Sequence, residues 1–448
     1  MEFIKISPKQ IPIYNRSEVV VVGGGVAGLS AAVASARLGA KTILVELGNC
    51  LGGTVTKGLT ATMMGVDLRV NKGFFAEFLR ALKDSGYLVE GFHSPNDPEA
   101  FKSLALDFVE KEGVELLFHT MVIDVLQDKN KVSGIVMANK SGLQAIMGEV
   151  FIDASGDADV AALAGEAFEK MKLGENALTL IFRVGDVDVH KFATFVKDHP
   201  DEFMPWGSSQ DVSIMGPDKD KPLISVGGLK GMIKKARENG ELYLSHDLIF
   251  LKFLPTKGTA QINATHVTNR DPVNAKDLTL AEIECRKQMM SVFSFMKNNV
   301  PGFEDSFLMD SASHIGVRES RRVIGEYVLT EEDIRESRRF DDAVTLNFMP
   351  IDIHGPGEKQ TWGKLKQPYQ IPYRSLQAKV NENLLIAGRC ISTDRITQGS
   401  TRSVPCCFGT GQAAGVAAAL SVREKRSPKK INIGHLQSEL KKQGVRLS

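Results

Sequence analysis

Two groups of residues in this chain have the types and spacing for chemistry. The first is Gly23-Gly24-Gly25-Val26-Ala27-Gly28, which fits G-x-G-x-x-G. In that pattern Gly23 permits a tight turn, Gly25 lets the backbone approach a pyrophosphate, and Gly28 lets a helix pack closely on a strand. A helix opening at Val26 and Ala27 would aim free N–H groups and the positive end of its dipole at phosphate oxygens. Glu46 follows at the spacing where a carboxylate accepts ribose hydroxyls. The second group is His354, with Asp352 two residues before it, and Arg402 after Gln398-Gly399-Ser400-Thr401. A histidine titrating at about 6.5 suits proton transfer at neutral pH. Asp352 could orient it or hold substrate hydroxyls, and a guanidinium at Arg402 could clamp a carboxylate or another anion. Arg318 and Arg374 are weaker candidates of the same kind, whereas Arg321, Arg322, His119 and His314 read as structural.

The elements that must position these groups can be read around them. Glu18–Val22 (EVVVV) is a continuous β-branched run, as expected of a strand buried on both faces. The glycine turn follows, then a helical stretch over 29–40 closed by Gly39, then a second strand over 41–46. A helix is expected over 100–112, strands over 114–118 and 149–153, and a strand pair over 122–126 and 132–137. His354 is expected in a loop bounded by Pro350 and Gly355. From about 168 to 350 the pattern becomes mixed, with polar loops near 207–221 and 255–271. A buried-strand pattern returns at 383–387, and an Ala-rich helix is expected over 411–422.

Three further segments choose among dinucleotides by resemblance. Leu47-Gly48-Asn49-Cys50-Leu51-Gly52-Gly53-Thr54 resembles the stretch that follows the ribose-binding acid in two-dinucleotide flavoproteins. Ala154-Ser155-Gly156-Asp157 resembles their "ATGD" element. Asn383–Arg389 with Gly409–Gly415 looks like the closing half of an FAD fold. Together they resemble the FAD-dependent oxidoreductase family related to fumarate reductase and succinate dehydrogenase flavoproteins and to the flavoprotein part of heterodisulfide reductase. The resemblance covers roughly 17–65, 98–170 and 314–422. It implies FAD as cofactor, held by Gly23, Gly25, Val26, Ala27, Gly28, Glu46, Gly53, Thr54, Val122, Gly156, Asp157, Gly388, Arg389, Gly411, Gln412 and Ala413. In the last three it implies a helix opening toward the flavin, where its dipole would contribute about 0.3–2 kcal/mol.

The fold class expected is therefore α/β: a Rossmann-like two-dinucleotide-binding FAD domain over 1–170 and 366–448, interrupted by a large α+β cap, the substrate domain, over 171–365. A length of 448 residues exceeds what one core serves. Hydrophobic residues at 43% and a net charge of +1 describe an ordinary globular chain with no pull toward nucleic acid or membrane. Five cysteines without a metal or disulfide framework suit a reducing cytoplasm, no metal is expected, and the opening residues lack a secretory pattern. Cys390 reads as a small hydrophobe, and adjacent Cys406 and Cys407 do not close a comfortable disulfide. A disulfide reductase would need a Cys-x4-Cys pair after Gly53-Thr54, and 54–65 holds no cysteine. The function expected is hydride exchange between FAD and a small hydroxylated or carboxylated molecule, with an unidentified electron donor or acceptor. The alternatives are an electron-transfer subunit of a larger complex and an FAD-dependent tRNA-modifying or tRNA-binding protein.

Overall fold

A computed structural model describes residues 10–204, 225–354 and 360–448. The polar loop expected over 207–221 lies outside them, as do residues 1–9 of the opening segment. The chain opens with β1 (Ile13–Val22), α1 (Val26–Arg37) and β2 (Thr42–Val45), continues through β3 (Glu115–Leu117), and adds a meander of β4 (Met121–Asp128), β5 (Lys131–Asn139) and β6 (Gly142–Asp153). Strands β3, β2, β1 and β6 are parallel neighbours in that order, and β5 and β4 extend the sheet antiparallel beyond β6. Val19–Val22 are buried from both sides, which is why the run carries no polar alternation.

The cap is a five-stranded antiparallel sheet. Its strands are β7 (Phe182–Gly185), β8 (Ser225–Gly228), β9 (Ile249–Phe253), β10 (Ala260–Asn263) and β11 (Phe307–Ser311), in the spatial order β8-β9-β10-β7-β11. The long helix α2 (Ala275–Asn299) is capped by Asn274, whose side-chain oxygen accepts from the N–H groups of Lys276 and Asp277. Its residues Cys285, Met289, Val292 and Met296 are buried in the cap's core.

The chain then returns to the first domain through β12 (Ile351–His354) and β13 (Leu384–Ile386), and closes with α3 (Arg395–Thr401) and α4 (Val404–Glu424). Strand β13 pairs parallel with the end of β6, Leu385 opposite Ile152. Two apolar cores result. One joins residues 19–164 to 323–447, and the other joins Leu59 to 178–315. The cap's core thus stops near Ile315, and residues 323–353, expected in the cap, pack with the nucleotide domain. The reason is local: the strand Ala343–Asn347 pairs with Tyr369–Pro372 and lies against α4, where a Cβ on Gly409 would sit 2.4 Å from Thr345 Oγ1.

Candidate active site

A cleft of about 840 Å³ runs from the Gly-rich turn, between the two domains, to β12 and the start of α4. At its nucleotide end, Gly23 adopts φ +101°, and a Cβ there would meet the Ala154 carbonyl oxygen at 2.5 Å. Only glycine fits both demands. Gly28 does not line the cleft; its hypothetical Cβ would lie 1.7 Å from the Gly23 oxygen, so it serves the close packing of α1 on β1. Gly25 is the N-cap of α1, has no side-chain capping bond and φ −64°, and nothing lies within 4 Å of where its Cβ would be. The helix therefore opens into free space with its first N–H groups uncapped. Val26, Ala27, Gly53, Thr54 and Val122 line the same end.

Glu46 is 5% exposed. Its carboxylate accepts from the N–H groups of Gly24 and Gly48, each at 2.6 Å, and pairs with the Lys57 ammonium. These bonds draw the β2 end onto the glycine turn, and the two oxygens retain lone pairs for further donors. Open space, uncapped amides and a held carboxylate together fit a dinucleotide.

Midway, Gly156, Asp157, Gly388 and Arg389 line the wall. Arg389 donates to the Gly156 oxygen at 2.8 Å, to Asp157 Oδ1 at 2.6 Å and to the Val317 oxygen. Its charge is thus spent on tying the segment after β6 to the segment after β13. Arg321 and His314, read from sequence as structural, also border the cleft, and Arg321 donates to the Asp157 oxygen and to Asp159. Arg374 pairs with Asp342 and, like His119, is absent from the lining.

The far end gathers the acid–base candidates. Asp352 and His354 lie on strand β12, a correction to the expected loop: Ile351, Asp352 and Ile353 are buried, and β12 pairs antiparallel with Gln360–Gly363. His354 Nε2 lies 3.1 Å from Asp352 Oδ1. Arg402, at the C-cap of α3, donates through Nη2 to both the Asp352 carbonyl oxygen and Oδ2, each at 2.9 Å. Gly399 makes this approach possible, since a Cβ there would meet Ile353 at 3.0 Å and the Asp352 oxygen at 3.1 Å. Burial alone would raise the Asp352 pKa, but His354, Arg402 and Arg318 outweigh it and hold the carboxylate well below its usual range. Burial and then the Arg318 charge push His354 down to about 4, with Asp352 partly offsetting them. At neutral pH the pair is therefore carboxylate plus neutral imidazole.

Facing them from the cap are residues the sequence reading did not select. Phe250 and Lys252 alternate along β9, and Gln261 and Asn263 along β10. Lys252 is 8% exposed, and burial pushes its pKa down to about 8 against the pull of Asp352. A lysine inside the apolar run IFLKF was the available signal. Gln261 carried none, because only the meeting of the two domains brings it here. Arg318 donates to the Ala177 oxygen at 2.8 Å and to Thr179 Oγ1 at 2.7 Å, and burial followed by Arg402 lowers it to about 10.

Gly411, Gln412 and Ala413 stand outside the cleft, contrary to expectation. Helix α4 begins at Val404 rather than near 411, with Ser403 as its N-cap and Pro405 in its first turn. Ser403, Val404 and Cys407 therefore present the helix start to the cleft. Gly411 instead faces α1: its Cβ would meet the Ala27 oxygen at 2.1 Å, and one on Gly415 the Ala31 oxygen at 2.2 Å. Gln412 bonds the Phe74 N–H and Gln443. Among the described residues no group of His, Cys, Asp and Glu is placed to hold a metal ion, and no helix is long and apolar enough to cross a membrane.

The comparisons with known proteins point to the same cofactor. A family model described as FAD dependent oxidoreductase matches residues 18–440. The thiamine thiazole synthase of Aeropyrum pernix is 29% identical over 194 residues, covering 42% of this chain and 70% of that protein. A geranylgeranyl bacteriochlorophyll reductase-like protein from Thermoplasma acidophilum superposes with a TM-score of 0.50 at 13% identity, covering 97% of this chain and 85% of that one. The p-nitrophenol 4-monooxygenase PnpA of Pseudomonas putida gives 0.50 at 12%, covering 93% and 83%. These two likenesses show the fold alone.

Proposed function

Because the chain belongs to the FAD-dependent oxidoreductase family, we propose that it exchanges a hydride between FAD and a small hydroxylated or carboxylated organic molecule bound between β12 and the cap. The observation that carries this reading is the Asp352, His354 and Arg402 constellation at the end of the cleft remote from the Gly-rich turn. FAD, when bound, supplies the hydride acceptor or donor, and the protein must orient the substrate and handle protons and charge.

Gly23, Gly25, Val26 and Glu46 would hold the nucleotide. Asp352 accepts the Nε2–H of His354, which fixes the tautomer and leaves Nδ1 as a lone-pair base for a substrate O–H. Arg402 spends one nitrogen on Asp352 and offers the rest of its guanidinium, beside the uncapped start of α4, to negative charge in the cleft. The cap sheet walls the site through Phe250, Lys252, Gln261 and Asn263.

His354→Ala should leave the protein yellow, with FAD retained, while slowing anaerobic bleaching by substrate about 10²-fold or more. Bleaching at the wild-type rate would refute the role of His354.

A further inference from the structure

Among the described residues, the remote end of the cleft carries more positive charge than it neutralises. Lys252, Arg318 and Arg402 converge there on one carboxylate, Asp352. Arg402 is paired with Asp352, whereas Arg318 has only neutral oxygens as partners and no carboxylate within ion-pair distance among the described residues. Cations drawn out of water without a counter-charge are costly, and an anionic ligand relieves that cost. A second observation stands beside the first. Gln261 is 2% exposed and lines the cleft, and its side-chain oxygen has no hydrogen-bond partner among the described residues. It lies directly opposite Lys252 in the antiparallel register of β9 and β10, so both side chains rise from the same face. A buried acceptor of this kind wants an O–H or N–H donor. A ligand ammonium would add a third uncompensated cation to the site; a hydroxyl adds none.

We propose that Arg318, Lys252 and Gln261 form a subsite for a 2-hydroxycarboxylate, with the carboxylate on the two cations and the hydroxyl donating to Gln261. This deepens the hydride-exchange reading and rests on it only for the chemical step. In the oxidative direction the C2–H bond breaks with its electron pair passing to FAD. For the step the O–H turns about the C2–O bond from Gln261 to His354 Nδ1; the proton passes to that nitrogen, C2–O becomes C=O, and a 2-oxocarboxylate of unchanged charge remains. The subsite also feeds the base: a carboxylate resting on Arg318 cancels part of the field that holds His354 low, so its proton affinity rises when substrate is present.

The test is isothermal titration of the FAD-loaded protein, and separately of the FAD-free protein, with straight-chain 2-hydroxy acids of three to six carbons. Each is compared with the unsubstituted acid and the 1,2-diol of the same length. Expected for at least one length is saturable binding of the hydroxy acid, roughly ten- to hundred-fold tighter than the acid lacking the hydroxyl. The diol should bind more weakly still, by about 10²-fold. Arg318→Met should erase the preference for acid over diol, and Gln261→Leu the preference for hydroxy acid over acid. The wild-type comparisons need no variant, so a misfolded variant does not decide the matter. If no hydroxy acid saturates, or if diol and hydroxy acid bind alike, the subsite is refuted. Failure to take up FAD, with acid binding intact, would instead refute the hydride-exchange reading and leave the subsite standing.

Discussion

Gly25 and Gly411 separate cofactor binding from stability. At Gly25 the backbone has φ −64° and ψ 179°, ordinary for any residue, and an added methyl meets nothing within 4 Å. Gly25→Ala at this N-cap should cost the FAD-free protein at most about 1 kcal/mol. The same methyl, however, stands in the space where the pyrophosphate must meet the first amides of α1. FAD affinity should fall by about 10²-fold or more, equivalent to about 2.7 kcal/mol. Gly411→Ala inverts the pattern. Its methyl would lie 2.1 Å from the Ala27 oxygen, about 1.3 Å short of the 3.4 Å at which ordinary contact begins, so α1 and α4 must part. Overpacking of that kind costs roughly 1–3 kcal/mol or more, against a helix-propensity gain of about 0.5–1 kcal/mol. Calorimetric melting with and without FAD, with a fluorescence titration of FAD into each variant, distinguishes the two. Gly25→Ala should melt like the wild type without FAD and gain about 2.7 kcal/mol less from adding it; Gly411→Ala should melt lower in both. Wild-type FAD affinity in Gly25→Ala would refute the placement of the phosphates at this turn.

Other outcomes follow from the same geometry. Glu46→Gln leaves the Lys57 ammonium buried without its partner; it should destabilise the protein by roughly 3 kcal/mol in denaturant titrations and weaken FAD binding. Arg318→Met should raise the His354 pKa from about 4 toward its ordinary value, read as an upward move of the imidazole titration by NMR; an unchanged titration would show that the Arg318 charge does not reach it. His354, His266 and His93 sit at about 4, 3 and 3 in the fold, against about 6.5 when unfolded. The unfolded chain therefore binds their protons first. The stability they confer is present above pH 6.5 and is lost as pH falls toward 3, partly opposed between about 4 and 6 by Asp153, which burial raises to about 6. Denaturation midpoints that stay flat from pH 7 to 4 would contradict this.

What could be read in advance was what is local. Val19–Val22, the glycine turn and Glu46 form one contiguous strand-turn-helix-strand unit, and its pattern states its geometry. The strand pair around 128–131 was legible for the same reason. Gly409 and Gly411 misled because glycine reads as punctuation, whereas here both sit inside α4 to admit Thr345 and α1, partners far along the chain. Pro350 and Gly355 suggested a loop around His354, yet the buried Ile351 and Ile353 make it a strand whose mate lies beyond it in sequence. The cap's share of the site, Lys252 above Asp352, depends on two domains meeting, and no local pattern encodes that encounter.

The pairing of β13 with β6 sets a schedule for the newborn chain. Phe151 and Ile152 are ready for a neighbour that is synthesised about 230 residues later, which at ribosomal speeds takes roughly 10–50 s. Throughout that interval the first half of the nucleotide domain has an unzipped seam, and the α1 groove that Gly411 and Gly415 will fill stands open. The intervening cap, with its own apolar centre, can condense first and hold the two halves in reach of each other. Slowing translation after residue 315 should thus lengthen the nascent chain's exposure to chaperones and proteases without altering the finished protein.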